Sequence, residues 1–208
     1  MEDVIQTYQL PYDPKYPVVC FDEASKQLFG EVRPPRPTRP GMPAQEDYEY
    51  ERKGVSNQLM MCEPLRGWRH VRVTERRTRK DYAGCVRELV DVYYPRAKAI
   101  RLVQDNLNTH DGASLYEAFS PEEARRILDK IEFHYTPKHG SWLNMAETEI
   151  NIMNGQCLDR RLEGRGLLAK EVAAWENERN ARKACIHWTF TLNAARQKLR
   201  KVYPPIED

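Results

Sequence analysis

Residues 126–150 read RILDKIEFHYTPKHGSWLNMAETEI. A short apolar run, Ile131 to Tyr135, enters a polar loop from Thr136 to Ser141, and a helical stretch follows with Glu147 and Glu149 in its second turn. β-Branched and aromatic residues over a few positions favour a strand, and the proline and glycine after them close it. A strand that hands over to a carboxylate-bearing helix is one way to build a metal-dependent site. It is also how ordinary strands meet ordinary helices, so the rest of the chain has to decide.

The chain has 208 residues, 40% of them hydrophobic, enough for one good core and a single domain. Nothing reaches the roughly 18 apolar residues of a membrane span, and no apolar signal-peptide core opens the chain, so a soluble, cytoplasmic protein with no membrane partner is expected. The five cysteines, at positions 20, 62, 85, 157 and 185, have no CxxC spacing and read as free thiols in a reducing compartment. Net charge is only +2, but it is unevenly placed. From Arg66 to Arg101 there are 11 Lys/Arg against 4 Asp/Glu, and from Arg160 to Lys201 again 11 against 4. Residues 102–159 carry 10 acids against 4 bases. Basic flanks around an acidic middle suit a polyanion held over a carboxylate centre; solvated helix faces explain the same pattern.

Residues 1–16 read as an irregular lead-in with two prolines. YPVVCFDEAS is a buried strand ending in Asp22 and Glu23, and EVRPPRPTRPGMP is too rich in proline for a helix or a central strand. It reads as a Pro/Arg-rich loop insertion over about 31–50, in which a polyproline II conformation would align Arg33, Arg36 and Arg39 on one side. SNQLMMCEPL and GWRHVRVTE form an antiparallel pair turning at 64–67. RKDYAGCVRELVDVYY carries a helical stripe, AIRLVQDN is a strand, and helices follow at SLYEAF and at SPEEARRILDKI, with Ser120 as N-cap and Pro121 in its first turn. IEFHYT is the fifth strand; WLNMAETEINIMNGQCL, AKEVAAWENERNARKA and LNAARQKLRKVY close the chain as helices. The expected fold is α/β, a mixed five-stranded sheet flanked by helices, antiparallel at first and parallel later.

Asp22 and Asp105 then fall at the ends of strands, where α/β sheets place their sites, and Glu147 sits on a helix after a third strand. Each alone reads equally well as a capping or surface acid. Together, three oxygen ligands from separate elements could hold hard divalent cations, and two such ions about 3.5–4 Å apart serve phosphoryl transfer.

VVCFDEAS, RLVQDNLNTH and TPKHGSWLNMAETE, in this order, resemble the catalytic domain of DDE transposases of the mariner-like superfamily, in the branch found in bacterial insertion sequences. Leu143-Asn144-x-x-Glu147 fits the third motif of that group, and WTFTLNAARQKL is similar to its C-terminal segment, so the resemblance spans about 17–203. It implies a ribonuclease H-like domain over 17–206. Asp22, Asp105 and Glu147 would be its catalytic, metal-binding triad for Mg²⁺, with Mn²⁺ an option and two ions expected. It also implies double-stranded DNA as partner, with cleavage at transposon ends followed by strand transfer into target DNA in the nucleoid of a bacterium or archaeon. The loop of Arg33, Arg36 and Arg39 would contact DNA or a second subunit of a homodimer. Such transposases carry a helix-turn-helix portion, which is expected to be missing from this chain.

Asn106, His110 and Asn144 stand beside the triad as supporting residues, with His110 orienting a phosphate or a carboxylate, or capping its loop. A hydrolase triad of His110, Asp111 and Ser141 lacks the Gly-x-Ser-x-Gly elbow. Trp142 reads as a base-stacking residue or as the first core residue of its helix. The apolar stripe of that helix leaves Glu147 and Glu149 on opposite flanks; only the resemblance selects Glu147, and Glu149 is expected to be an exposed position. Two other functions fit the same residues: a different ribonuclease H-like nuclease, such as a resolvase or hybrid hydrolase, and a DNA-binding remnant without catalysis.

Overall fold

The structure, a computed structural model, describes residues 1–33, 36–43 and 48–199. One five-stranded sheet has the order β3-β2-β1-β4-β5, with β1 at Val18–Glu31, β2 at Tyr50–Glu63, β3 at Trp68–Thr74, β4 at Ile100–Gln104 and β5 at Ile131–Tyr135. β1, β2 and β3 pair antiparallel, while β4 and β5 continue in parallel from β1. The expected mixed sheet is therefore present, with its change of sense at β1.

Strand alternation sends side chains to two faces, and each face buries its own apolar cluster. Val19, Phe21, Leu59, Met61, Ile100 and Leu102 pack against the face covered by α2 (Arg79–Glu88), α3 (Ala113–Ala118) and α4 (Pro121–Leu128). Cys20, Met60, Cys62 and Val103 point the other way, toward α5 (Met145–Met153) and α6 (Arg165–Ala181). The expected caps are in place: Ser120 Oγ accepts from Glu123 N, with Pro121 in the first turn of α4.

Two sequence expectations change. The lead-in is not irregular, because Glu2–Gln9 forms helix α1. Val4, Ile5 and Tyr8 lie on one helical face and are buried in the α5 side of the core, with Glu2 and Asp3 in the first turn where the helix dipole favours acids. Strand β1 does not stop at Glu23 either. It runs on to Glu31 paired only with β2, because β4 leaves it after Cys20↔Val103. The loop from Glu31 to Tyr50 is partly described; Arg33, Arg36 and Arg39 are exposed, and a tight turn joins Arg39 and Met42 through paired backbone bonds of 3.0 and 2.8 Å. Whether the three arginines share one side depends on residues 34 and 35, which lie outside the described residues.

Candidate active site

The parallel register of β1 and β4 fixes the first two carboxylates. Cys20 lies opposite Val103, so two residues further along both chains come Asp22 and Asp105. A step of two keeps a side chain on the same face of a strand, so within β1 Asp22 shares the face of Cys20 that α5 covers. Asp22 is still held by β2 opposite Met60, whereas Asp105 follows the last residue of β4.

Helix α5 brings the third. Asn144 is its N-cap: Oδ1 accepts from Ala146 N at 3.1 Å, satisfying one of the free donors of the first turn. The same side chain, almost fully buried, donates through Nδ2 to the carbonyl of Phe21 at 2.8 Å and to Oδ2 of Asp22 at 3.2 Å. One residue thus starts the helix and fastens it to β1 at Asp22, with the half-buried Glu147 in the first turn. Tyr8 of α1 holds the preceding turn by donating to Leu143 O at 2.8 Å. That contact was hidden from the sequence reading, which gave the first 16 residues no structure.

His110 lies buried between two acids. Nδ1 contacts Asp105 Oδ1 and Nε2 contacts Glu23 Oε2, while the ring stacks on Tyr82 at 5.0 Å and meets the edge of Phe21 at 5.0 Å. Gln104 anchors the loop from below, donating to His110 O at 2.7 Å and accepting from Tyr82 at 2.9 Å. Burial pulls the imidazole down, but hydrogen bonds and charge from Asp105 and Glu23 outweigh it and lift it to about 9. Of the roles the sequence allowed for His110, the geometry has it orienting a carboxylate. Both ring nitrogens are taken, so the hydrolase reading with Ser141 has no base. Glu23 was visible only as the acid after Asp22; its contacts with His110 and Arg77 need the fold. Asn106 is exposed on the loop after Asp105, beside Arg77 and Thr109 at a shallow opening. His134 is turned to Asp3 and Thr7, away from chemistry.

Burial raises the Asp22 carboxyl to about 7, against the hydrogen bond from Glu23 N, and the negative charges of Asp105, Glu23 and Glu147 add to the rise. Among the described residues no group of three His, Cys, Asp or Glu is arranged as a ready-made metal cluster. The donor set is nonetheless all oxygen, and its mutual repulsion is of the kind that a divalent cation offsets.

Glu149, expected to be exposed, is fully buried. Arg179 donates to it through Nε at 3.0 Å and Nη2 at 2.7 Å, and Arg69 Nε lies 3.2 Å away, close enough for an ion pair but not aligned for a hydrogen bond. Glu149 thus reaches Arg69 of β3 and Arg179 of α6, the partners that a buried carboxylate needs.

Residues 17–167 match the family described as DDE superfamily endonuclease. The chain belongs to that family. Family membership implies an endonuclease that depends on a divalent metal. The fold is shared with the Mos1 mariner transposase. Its paired-end complex with the left transposon end superposes with a TM-score of 0.55 at 14% identity, covering 82% of this chain and 52% of that one. Its strand transfer complex gives 0.53 at 14% identity, over 82% and 51%. The Mos1 mariner paired-end complex with Mn gives 0.53 at 16% identity, over 87% and 55%. This chain therefore spans about half the length of the transposases it matches. A comparison with curated proteins gives no match. No helix among the described residues is long and apolar enough to cross a membrane.

Proposed function

We propose that residues 17–206 are the catalytic domain of a DDE transposase, which cuts DNA at transposon ends and joins the freed 3′-hydroxyl to target DNA. The observation that carries the reading is Asn144, whose amide ties the first turn of α5, and with it Glu147, to Asp22 beside the register-matched Asp105. Asp22, Asp105 and Glu147 are the ligands of this reading, for Mg²⁺ or Mn²⁺, and two ions are expected. Bound there, divalent cations would supply a lowered pKa for the attacking water or hydroxyl and charge for the leaving oxygen. The protein's own part is orientation. Asn144 holds one oxygen of Asp22, Glu23 N holds the other, and His110 holds Asp105 against Glu23. Double-stranded DNA is the partner in this reading, which is supported by the Mos1 complexes with transposon ends. A homodimer paired through the loop at 31–50 and a separate helix-turn-helix portion complete the proposal, as does a place in the cytoplasm on the nucleoid.

Incubation with supercoiled plasmid and with transposon-end duplexes in Mg²⁺ and Mn²⁺ tests it. Metal-dependent cleavage of duplex DNA that Asp22→Asn abolishes is the expected result. Preference for RNA–DNA hybrids or junctions would mark a different ribonuclease H-like nuclease, and DNA binding without any nicking would mark a non-catalytic remnant.

A further inference from the structure

Trp142 is not a core residue. It sits on the turn Ser141–Leu143 just before Asn144, and 48% of it is exposed. Its indole is stacked on Trp188 at 6.4 Å with 18° between planes, and the edge of Phe190 meets it at 5.6 Å. Trp188 packs in turn on Tyr8 at 5.0 Å and donates from Nε1 to Phe190 O at 2.7 Å, so the aromatic surface is tied into the fold from two sides. Tyr8 is also the residue that holds Leu143 O, which makes the aromatic surface and the start of α5 one rigid unit. Two cations border it: Lys198 Nζ stands 5.9 Å over the Phe190 ring and Lys138 precedes Trp142 in the same loop, whereas Arg179, Arg182 and Arg196 of the closing segment are paired with Glu149, Glu178 and Glu2.

We propose that Trp142, backed by Trp188 and Phe190, is a stacking platform for an unpaired nucleobase next to the strand that the carboxylate site acts on. The inference rests on the function proposed above. A flat aromatic face takes any base, because every base has a π-face, while neighbouring cations hold the phosphates on either side. Leu143 fills the core beneath this point of the loop, so the indole packs only on Trp188 and Phe190 and about half of it stays open.

The test uses the full chain without Mg²⁺ or Mn²⁺, and a duplex with a short 3′ overhang in which 2-aminopurine replaces one overhang base; the same duplex, blunt, is the control. Binding quenches the 2-aminopurine. Trp142→Ala removes the quench and weakens the overhang duplex about tenfold, while blunt duplex changes less than about twofold; Trp142→Phe retains most of both. Equal losses on blunt and overhang DNA, or a quench that survives Trp142→Ala, would overturn the platform. So would a fall in solution mass with Trp142→Ala, which would give the face to a second copy of the chain. Wild-type nicking of plasmid in Mn²⁺, measured in parallel, separates the two ideas: if it is present while the overhang effect is absent, only the platform fails. If wild type neither binds nor nicks DNA, the transposase reading fails and the platform with it.

Discussion

Arg69 and Glu149 form an ion pair at 3.2 Å with both side chains shut away from solvent, one on β3 and the other on the helix that carries Glu147. Asn180 brackets Arg69 through its backbone on both sides, at 2.9 and 2.8 Å, and Arg179 completes the charge balance of Glu149. Breaking such a network by removing one partner leaves the others buried and uncompensated, which costs about 3–5 kcal/mol. Glu149→Gln should therefore lower the urea midpoint strongly, with two arginines left without their carboxylate. An unfolding free energy within about 0.5 kcal/mol of wild type would show that the buried pair adds little net stability.

Glu147→Gln should behave in the opposite way. Glu147 is half-buried, and its carboxylate makes no hydrogen bond or ion pair with another described residue. The neutral amide fits the same space but is a poorer ligand for a hard cation. Unfolding should stay within about 1 kcal/mol of wild type while metal-dependent nicking is lost. The pair of variants thus separates stability from chemistry on one helix: one loses the fold's margin, the other only the reaction.

The sequence carried the sheet well because the apolar cores of its strands are bounded by Pro, Gly and acids, and because alternation tells a strand which face to bury. It put Asp22 and Asp105 at strand ends; Asp105 does follow β4, but Asp22 lies within the longer β1, and the order and register that bring the two strands side by side come only from the fold. It could not separate Glu147 from Glu149, as both flank one stripe and only β3 and α6 show which flank is covered. The helix at Glu2–Gln9 was missed because eight residues with few apolar positions give little periodicity, and what stabilises it is burial of Val4 and Ile5 against the rest of the chain. Charge runs misled in part. Arg72, Arg77, Arg79 and Arg101 in the first basic segment, and Arg160 and Arg165 in the second, face carboxylates on neighbouring elements, and Arg182 pairs with Glu178 one turn back on α6, so the excess of bases is smaller in space than in sequence.

DNA affinity should nonetheless fall steeply with salt, because Lys80, Arg96, Lys98, Lys170 and Lys183 lie in those segments without an ion pair recorded among the described residues. Each phosphate neutralised adds about 0.9 to the log–log slope. Replacing Arg33, Arg36 and Arg39 together with Ala should weaken DNA binding or subunit pairing without changing the melting curve, as all three are exposed. Filter binding at several salt concentrations and light scattering check both halves; unchanged affinity and mass would make the loop a surface excursion only.

Asn144 offers the sharpest separation of roles, because its amide has two functions on two atoms. Oδ1 caps α5 and Nδ2 reaches Asp22 and Phe21 O. Asn144→Ala removes both: about 1 kcal/mol for the cap and about 1 for a buried hydrogen bond. Asn144→Ser keeps a good capping oxygen but is too short to span to Asp22, so it should recover the cap's share of stability. If the link to Asp22 is what aligns the carboxylates, both variants should lose cleavage by at least about tenfold, equal to about 1.4 kcal/mol of barrier. They should also need more Mn²⁺ to reach half-maximal rate. If Asn144→Ser cleaves like wild type, starting the helix is all that Asn144 does, and the alignment of Asp22 with Glu147 comes from packing of α5 alone.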